Sequence, residues 1–142
     1  MNITGLSNRK LVIQPMDGQL FRRLGYEIAR KVNGKVLEWL PPRYPLNYFR
    51  LVLLIDGKIV SILLHEYFPY AAIVSYKDEL QMNFYDYEEV EFELAPYYTV
   101  LKAAFLNEPF NPKAHDLSEI ELRNVKHWRP KNNGEVIFNC WD

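Results

Sequence analysis

Apolar residues recur at every fourth position between residues 17 and 32, where Leu20, Leu24, Ile28 and Val32 form a stripe with Phe21 and Ala29 beside it. That period predicts a first helix. Asp17 offers an oxygen to its free amide groups, and Asn33 with Gly34 offers a left-handed residue on which it can stop. Further along, the pattern changes to runs that are apolar over most of their length, FRLVLLI and KIVSILL, separated by Asp56 and Gly57. Asp-Gly between two such runs predicts a tight hairpin, because glycine tolerates the backbone angles the turn demands. Strands that are apolar on both faces belong near the centre of a covered sheet, with helices the expected cover.

Shorter segments fill in the rest. KVLEWL reads as a strand before PPRYP interrupts regular structure at positions 41 to 45, and YAAIVSY, from Tyr70 to Tyr76, reads as another after Pro69. LQMNFY and EEVEFEL are expected to form an antiparallel pair around Asp86 and Tyr87. In the second of these, Val90, Phe92 and Leu94 alternate with Glu89, Glu91 and Glu93, a period-two pattern that turns one face inward and a row of carboxylates outward. After Ala95 and Pro96, the spacing of Tyr97, Leu101 and Phe105 predicts a second helix over YYTVLKAAFL. NEPFNPKAHD reads as a loop. The remaining 26 residues favour helices, although VIFNCW would also suit a strand. The expected architecture is α+β: a single domain over residues 1 to 142, with an antiparallel sheet and central hairpin packed by helices.

Composition narrows the classes of function. With 142 residues, 49% of them apolar, the chain can bury a core without disulfides or a structural metal. The single cysteine, Cys140, excludes an internal disulfide and reads as a small buried hydrophobe. The opening MNITGLSNRKLVIQPMDGQ lacks the apolar stretch of a secretory signal, and no later run has the length of a bilayer-spanning helix, so a soluble, cytoplasmic protein is expected. A formal net charge of -1 argues against a nucleic-acid partner. No membrane partner is expected either.

Candidate chemistry is sparse. His65, His115 and His127 are far apart and form no metal-binding spacing; a nucleophile elbow and a glycine-rich phosphate loop are both missing. No catalytic residue, metal or cofactor is therefore assigned. His65, at the exit of the hairpin beside Glu66, has two readings: a general base in a pocket, or a strand-end histidine held by a carboxylate or a backbone carbonyl. Charge placement says more. Residues 1 to 60 carry ten Lys or Arg against four acids, while residues 61 to 116 carry three against ten. Between Asp78 and Glu93 lie Asp78, Glu79, Asp86, Glu88, Glu89, Glu91 and Glu93, with no basic residue among them.

On a strand, Glu89, Glu91 and Glu93 would share one face at steps of about 6.5 to 7 Å and concentrate a negative field. Asp86, Glu88, Glu89, Glu91 and Glu93, bordered by Tyr85 and Tyr87, thus form a candidate contact surface for a basic partner. A solvated edge that discourages aggregation is the competing reading. Asp86 and Glu88 would also share a side, but exposed carboxylates ordinarily do no proton-transfer work.

The C-terminal segment HWRPKNNGEVIFNCWD, with Trp128, Pro130, Gly134, Glu135, Ile137, Phe138, Asn139, Trp141 and Asp142, resembles small bacterial toxin-immunity proteins. The resemblance covers residues 127 to 142. It implies a non-enzymatic protein that neutralises a cognate protein toxin by direct binding, a nuclease with a basic active surface being one such toxin. It assigns no contact residue. Physically, Trp128, Ile137, Phe138 and Trp141 look like an apolar anchor for the terminal segment, with Pro130 and Gly134 shaping its approach. Two other classes stay open: a small enzyme or ligand-binding domain with a pocket between sheet and helices near His65, and a structural or regulatory interaction protein unrelated to toxins.

Overall fold

The computed structural model describes residues 14–78 and 81–141. The N-terminal residues 1–13, Glu79, Leu80 and Asp142 lie outside this range, as do the side chains of Tyr76, Lys77, Asp78 and Gln81. The first helix, α1 (Gly18–Lys31), forms where its apolar stripe predicts. Asp17 Oδ1 accepts the amides of Gln19 and Leu20 at 3.0 and 3.1 Å, and Asn33, at φ 55°, is the left-handed residue after its end. Phe21, Leu24, Gly25, Ile28 and Ala29 are its buried face.

Strands β1 (Lys35–Leu40), β2 (Tyr48–Ile55), β3 (Lys58–His65), β4 (Tyr70–Asp78) and β5 (Gln81–Phe84) follow one another as neighbours in a single antiparallel sheet. Asp56 and Gly57 join β2 to β3 with φ of 50° and 73°, the two positive angles of the tight hairpin turn expected for Asp-Gly. The register runs from Ile55 opposite Lys58 to Tyr48 opposite His65.

Both faces of the central hairpin are covered. On one, Phe49, Leu51, Leu53, Val60, Ile62 and Leu64 pack with Phe21, Leu24 and Ile28 of α1. On the other, Leu63, Ala72, Val74 and Phe84 pack with Leu101, Leu106, Val136, Ile137, Phe138 and Trp141. The sheet is thus the middle layer of an α+β domain, which is why its central strands are apolar over most of their length.

Two segments depart from the sequence pattern. EEVEFEL is no strand but a helix, α2 (Glu88–Leu94), which packs Val90 and Leu94 into the α1 side of the core. The two templates share Val90 and Leu94, four residues apart, and differ only at Phe92. Glutamate settles the choice: it is a good helix former, is depleted in strands, and is favoured in a first turn, where α2 carries Glu88, Glu89 and Glu91. In YYTVLKAAFL only the last part is helical. Thr99–Val100 forms β6, which pairs in parallel with β4, and α3 (Ala103–Leu106) follows. The β-branched pair Thr99 and Val100 opposes an earlier helix start.

The last third is helical, in α4 (Glu119–Trp128) and α5 (Asn133–Ile137). Ser118 and Glu121 form a capping box at the start of α4, and Arg129, left-handed at φ 50°, ends it before Pro130. The chain after α5 is stitched to the start of β2 by Asn47, whose Oδ1 accepts the Asn139 amide at 2.8 Å and whose Nδ2 donates to the Ile137 carbonyl at 3.0 Å.

Candidate functional site

Helix α2 rotates by about 100° per residue, so the acids expected in one row point in several directions. Glu91 is turned inward and only 8% exposed; its Oε1 accepts Lys102 Nζ at 2.6 Å. Glu93 Oε2 accepts Lys31 Nζ, from the last turn of α1, at 2.7 Å. Asp86 Oδ1 accepts the Ala103 amide at 2.9 Å and so holds the first turn of α3. Three of the five predicted contact acids are therefore engaged within the chain. The carboxylates of Glu88 and Glu89 remain exposed.

Tyr85 and Tyr87 are half-buried against the α1-side core, their rings 6.5 Å apart. Burial first, then the neighbouring Tyr87, pushes the Tyr85 phenol upward; Tyr87 is raised by burial and then by Asp56 and Glu89. Hydrogen bonds to the partner carboxylates likewise raise Lys31 and Lys102, each of which stays an ammonium throughout the physiological range.

The residue that the strand pattern hid is Phe92. A strand would bury it beside Val90 and Leu94, whereas the helix leaves it 76% exposed. Shallow recesses lie on either side of its ring. One, of about 380 Å³, is lined by Lys31, Val32, Glu88, Glu89, Phe92 and Glu93. The other, of about 280 Å³, is lined by Glu88, Glu91, Phe92, Ala95, Val100 and Lys102. An aromatic side chain that projects between two concavities, with free carboxylates beside it, can insert into a partner's pocket while those carboxylates meet basic groups at the rim.

His65 is sealed off. At 1% exposed, its ring lies against Phe68, and Nδ1 accepts the amides of Tyr67 and Phe68 at 3.0 and 3.3 Å. Burial pushes its pKa down to about 4. Two donors converging on Nδ1 require that nitrogen to be unprotonated, so the neutral ring carries its proton on Nε2; Asn47 Nδ2, 3.3 Å from Nε2 and itself a donor to the Ile137 carbonyl, is then a neighbour and not a hydrogen-bond partner. The ring orders the loop after β3, and its holders are backbone amides rather than a carboxylate or carbonyl. Such a nitrogen has no open lone pair with which to act as a base in a pocket.

The C-terminal anchor is buried as its composition suggests: Val136, Ile137, Phe138, Asn139 and Trp141 all lie in the interior. A Cβ on Gly134 would lie 2.2 Å from the Phe84 ring, so glycine sets the close approach of α5 to the sheet. Cys140 is exposed rather than buried, because the inward side chains of Asn139 and Trp141 on either side direct it outward. Trp128 is also partly exposed and stands apart from that anchor. Among the described residues, no three His, Cys, Asp or Glu side chains are grouped to hold a metal ion, and no helix is long and apolar enough to cross a membrane.

The sequence reading singled out the acids of this segment and not Phe92, Lys31 or Lys102. A usable signal was present, since Val90 and Leu94 fit a helix in a segment with four glutamates. No family model matches the chain, and no curated protein or solved structure matches it significantly.

Proposed function

We propose that this chain is a stoichiometric protein-binding inhibitor, a bacterial immunity protein acting in the cytoplasm, and that α2 is the surface with which it engages a basic toxin. The observation that carries the reading is the exposure of Phe92 between two recesses, with Glu88 and Glu89 free beside it. Placing a phenylalanine ring in water has no benefit to folding, and burial in a partner recovers its transfer free energy. The two carboxylates supply long-range attraction and select against acidic surfaces. That the partner is a toxin rests on the likeness of the terminal segment to immunity proteins. Inhibition then requires only that the bound chain occlude an active surface, or one beside it.

Neutralisation tests this. The product of the gene adjacent to this one is expressed in a heterologous bacterium, alone and with this chain. The expected result is growth arrest that the wild-type chain relieves and that Phe92→Ala relieves poorly, its affinity falling by about 30-fold as for a central aromatic anchor. Relief by Phe92→Ala equal to wild type, or no arrest to relieve, contradicts the proposal.

A further inference from the structure

The smaller recess beside Phe92 contains a carboxylate whose hydrogen bonding is half complete. Glu91 is almost wholly buried; Lys102 reaches its Oε1, and Oε2 is buried with no hydrogen-bond partner. An ionised carboxylate accepts at both oxygens, and leaving one unmet in the interior is costly. Lysine cannot correct this, because its ammonium is a point donor here committed to one oxygen. A guanidinium that takes the place of Lys102 can, once the carboxylate turns about its terminal bond to present both oxygens to the recess, since its planar fork donates to both at once.

The surroundings suit such a group. Phe92, Ala95 and Val100 give apolar walls for the methylene stem and a ring face for the cation, and Glu88 adds a second negative charge. The Lys102 side chain is 67% exposed, so it can swing into water and remain solvated.

Resting on the reading of α2 as the contact surface, we propose that this recess is an arginine receptor: a partner arginine displaces Lys102 and pairs with both oxygens of Glu91 beside Phe92. Lys102 then acts as a placeholder that keeps the carboxylate neutralised until the partner arrives.

The probe is N-acetyl-arginine amide, titrated into isotopically labelled protein and followed by NMR, with N-acetyl-lysine amide for comparison. Expected are shifts around Glu88 to Ala95 and Val100 to Lys102, with arginine bound more tightly than lysine. Lys102→Met, which removes the competing ammonium and keeps the stem, should tighten arginine binding by ~10-fold. Glu91→Gln should abolish it. Equal binding of the two amides, weaker binding to Lys102→Met, or unchanged binding to Glu91→Gln overturns the proposal. Should Glu91→Gln fail to fold, the arginine preference and Lys102→Met decide the matter alone. If Phe92→Ala weakens partner binding while the arginine probe shows no preference, the recess proposal fails and the α2 reading stands. Specific arginine binding with a partner indifferent to Phe92→Ala gives the reverse and removes the link between recess and partner.

Discussion

Phe92 and Glu91 are adjacent in sequence and opposite in fate, one in water and the other under Lys102. One helical step separates them, and it puts an apolar ring outside and a carboxylate inside. Both placements run against the transfer preferences of the side chains. A third residue of this kind, His65, is a titratable ring held neutral by burial and by two amides that donate to Nδ1. Its folded pKa, about 4, lies below the ordinary histidine value, so the unfolded chain takes up its proton first as pH falls. The stabilisation is complete above about pH 6.5 and is lost as pH falls toward 4. Between pH 7.5 and 5 this should remove about 2 kcal/mol of unfolding free energy. Urea denaturation at the two values, on the wild type and on His65→Asn, checks this. The variant should lose much less stability over the same interval; a parallel loss in both proteins would mean that His65 is not responsible.

At the scale of elements, local pattern was sufficient wherever one template alone fitted. Leu20, Leu24 and Ile28 with Asp17 specify α1, and Asp56 with Gly57 specifies the β2–β3 hairpin. Strands β1, β4 and β5 also lie where their apolar runs place them. It failed where two templates overlap, as at Val90 and Leu94, or where pairing is decided by distant residues. Thr99 and Val100 join β4 from across the chain, and Lys31 meets Glu93 from 62 residues away. The candidate site was therefore legible as a region and not as a geometry: the acids were found, but their internal partners and the exposed ring were not.

Element packing also separates two uses of the terminal motif. Gly134 lets α5 rest on Phe84, and the added methyl of Gly134→Ala would collide with a ring that is itself buried. The variant should lose about 2 kcal/mol of stability by overpacking, read by thermal or chemical denaturation, while the folded fraction binds its partner normally. Normal stability with lost binding would instead make the motif a contact surface.

Across the whole molecule, charge and packing are partitioned. The central strands are covered on both faces, by α1 and α2 on one side and by α3, α5 and the terminal segment on the other. The Asn47 links and the buried Phe138 and Trp141 fasten that second layer to the start of β2. Much of the terminal segment, residues 133 to 141, is thereby committed to the fold. The proposed contact lies on the opposite layer, where α2 offers Phe92 and its free acids. Hydrogen–deuterium exchange of the chain alone and in complex with the partner proposed above tests this division directly. The account predicts slowed exchange over residues 85 to 102, with α4 and the terminal segment unchanged. Protection confined to α4 or to residues 127 to 141, with α2 exchanging as in the free chain, would contradict it.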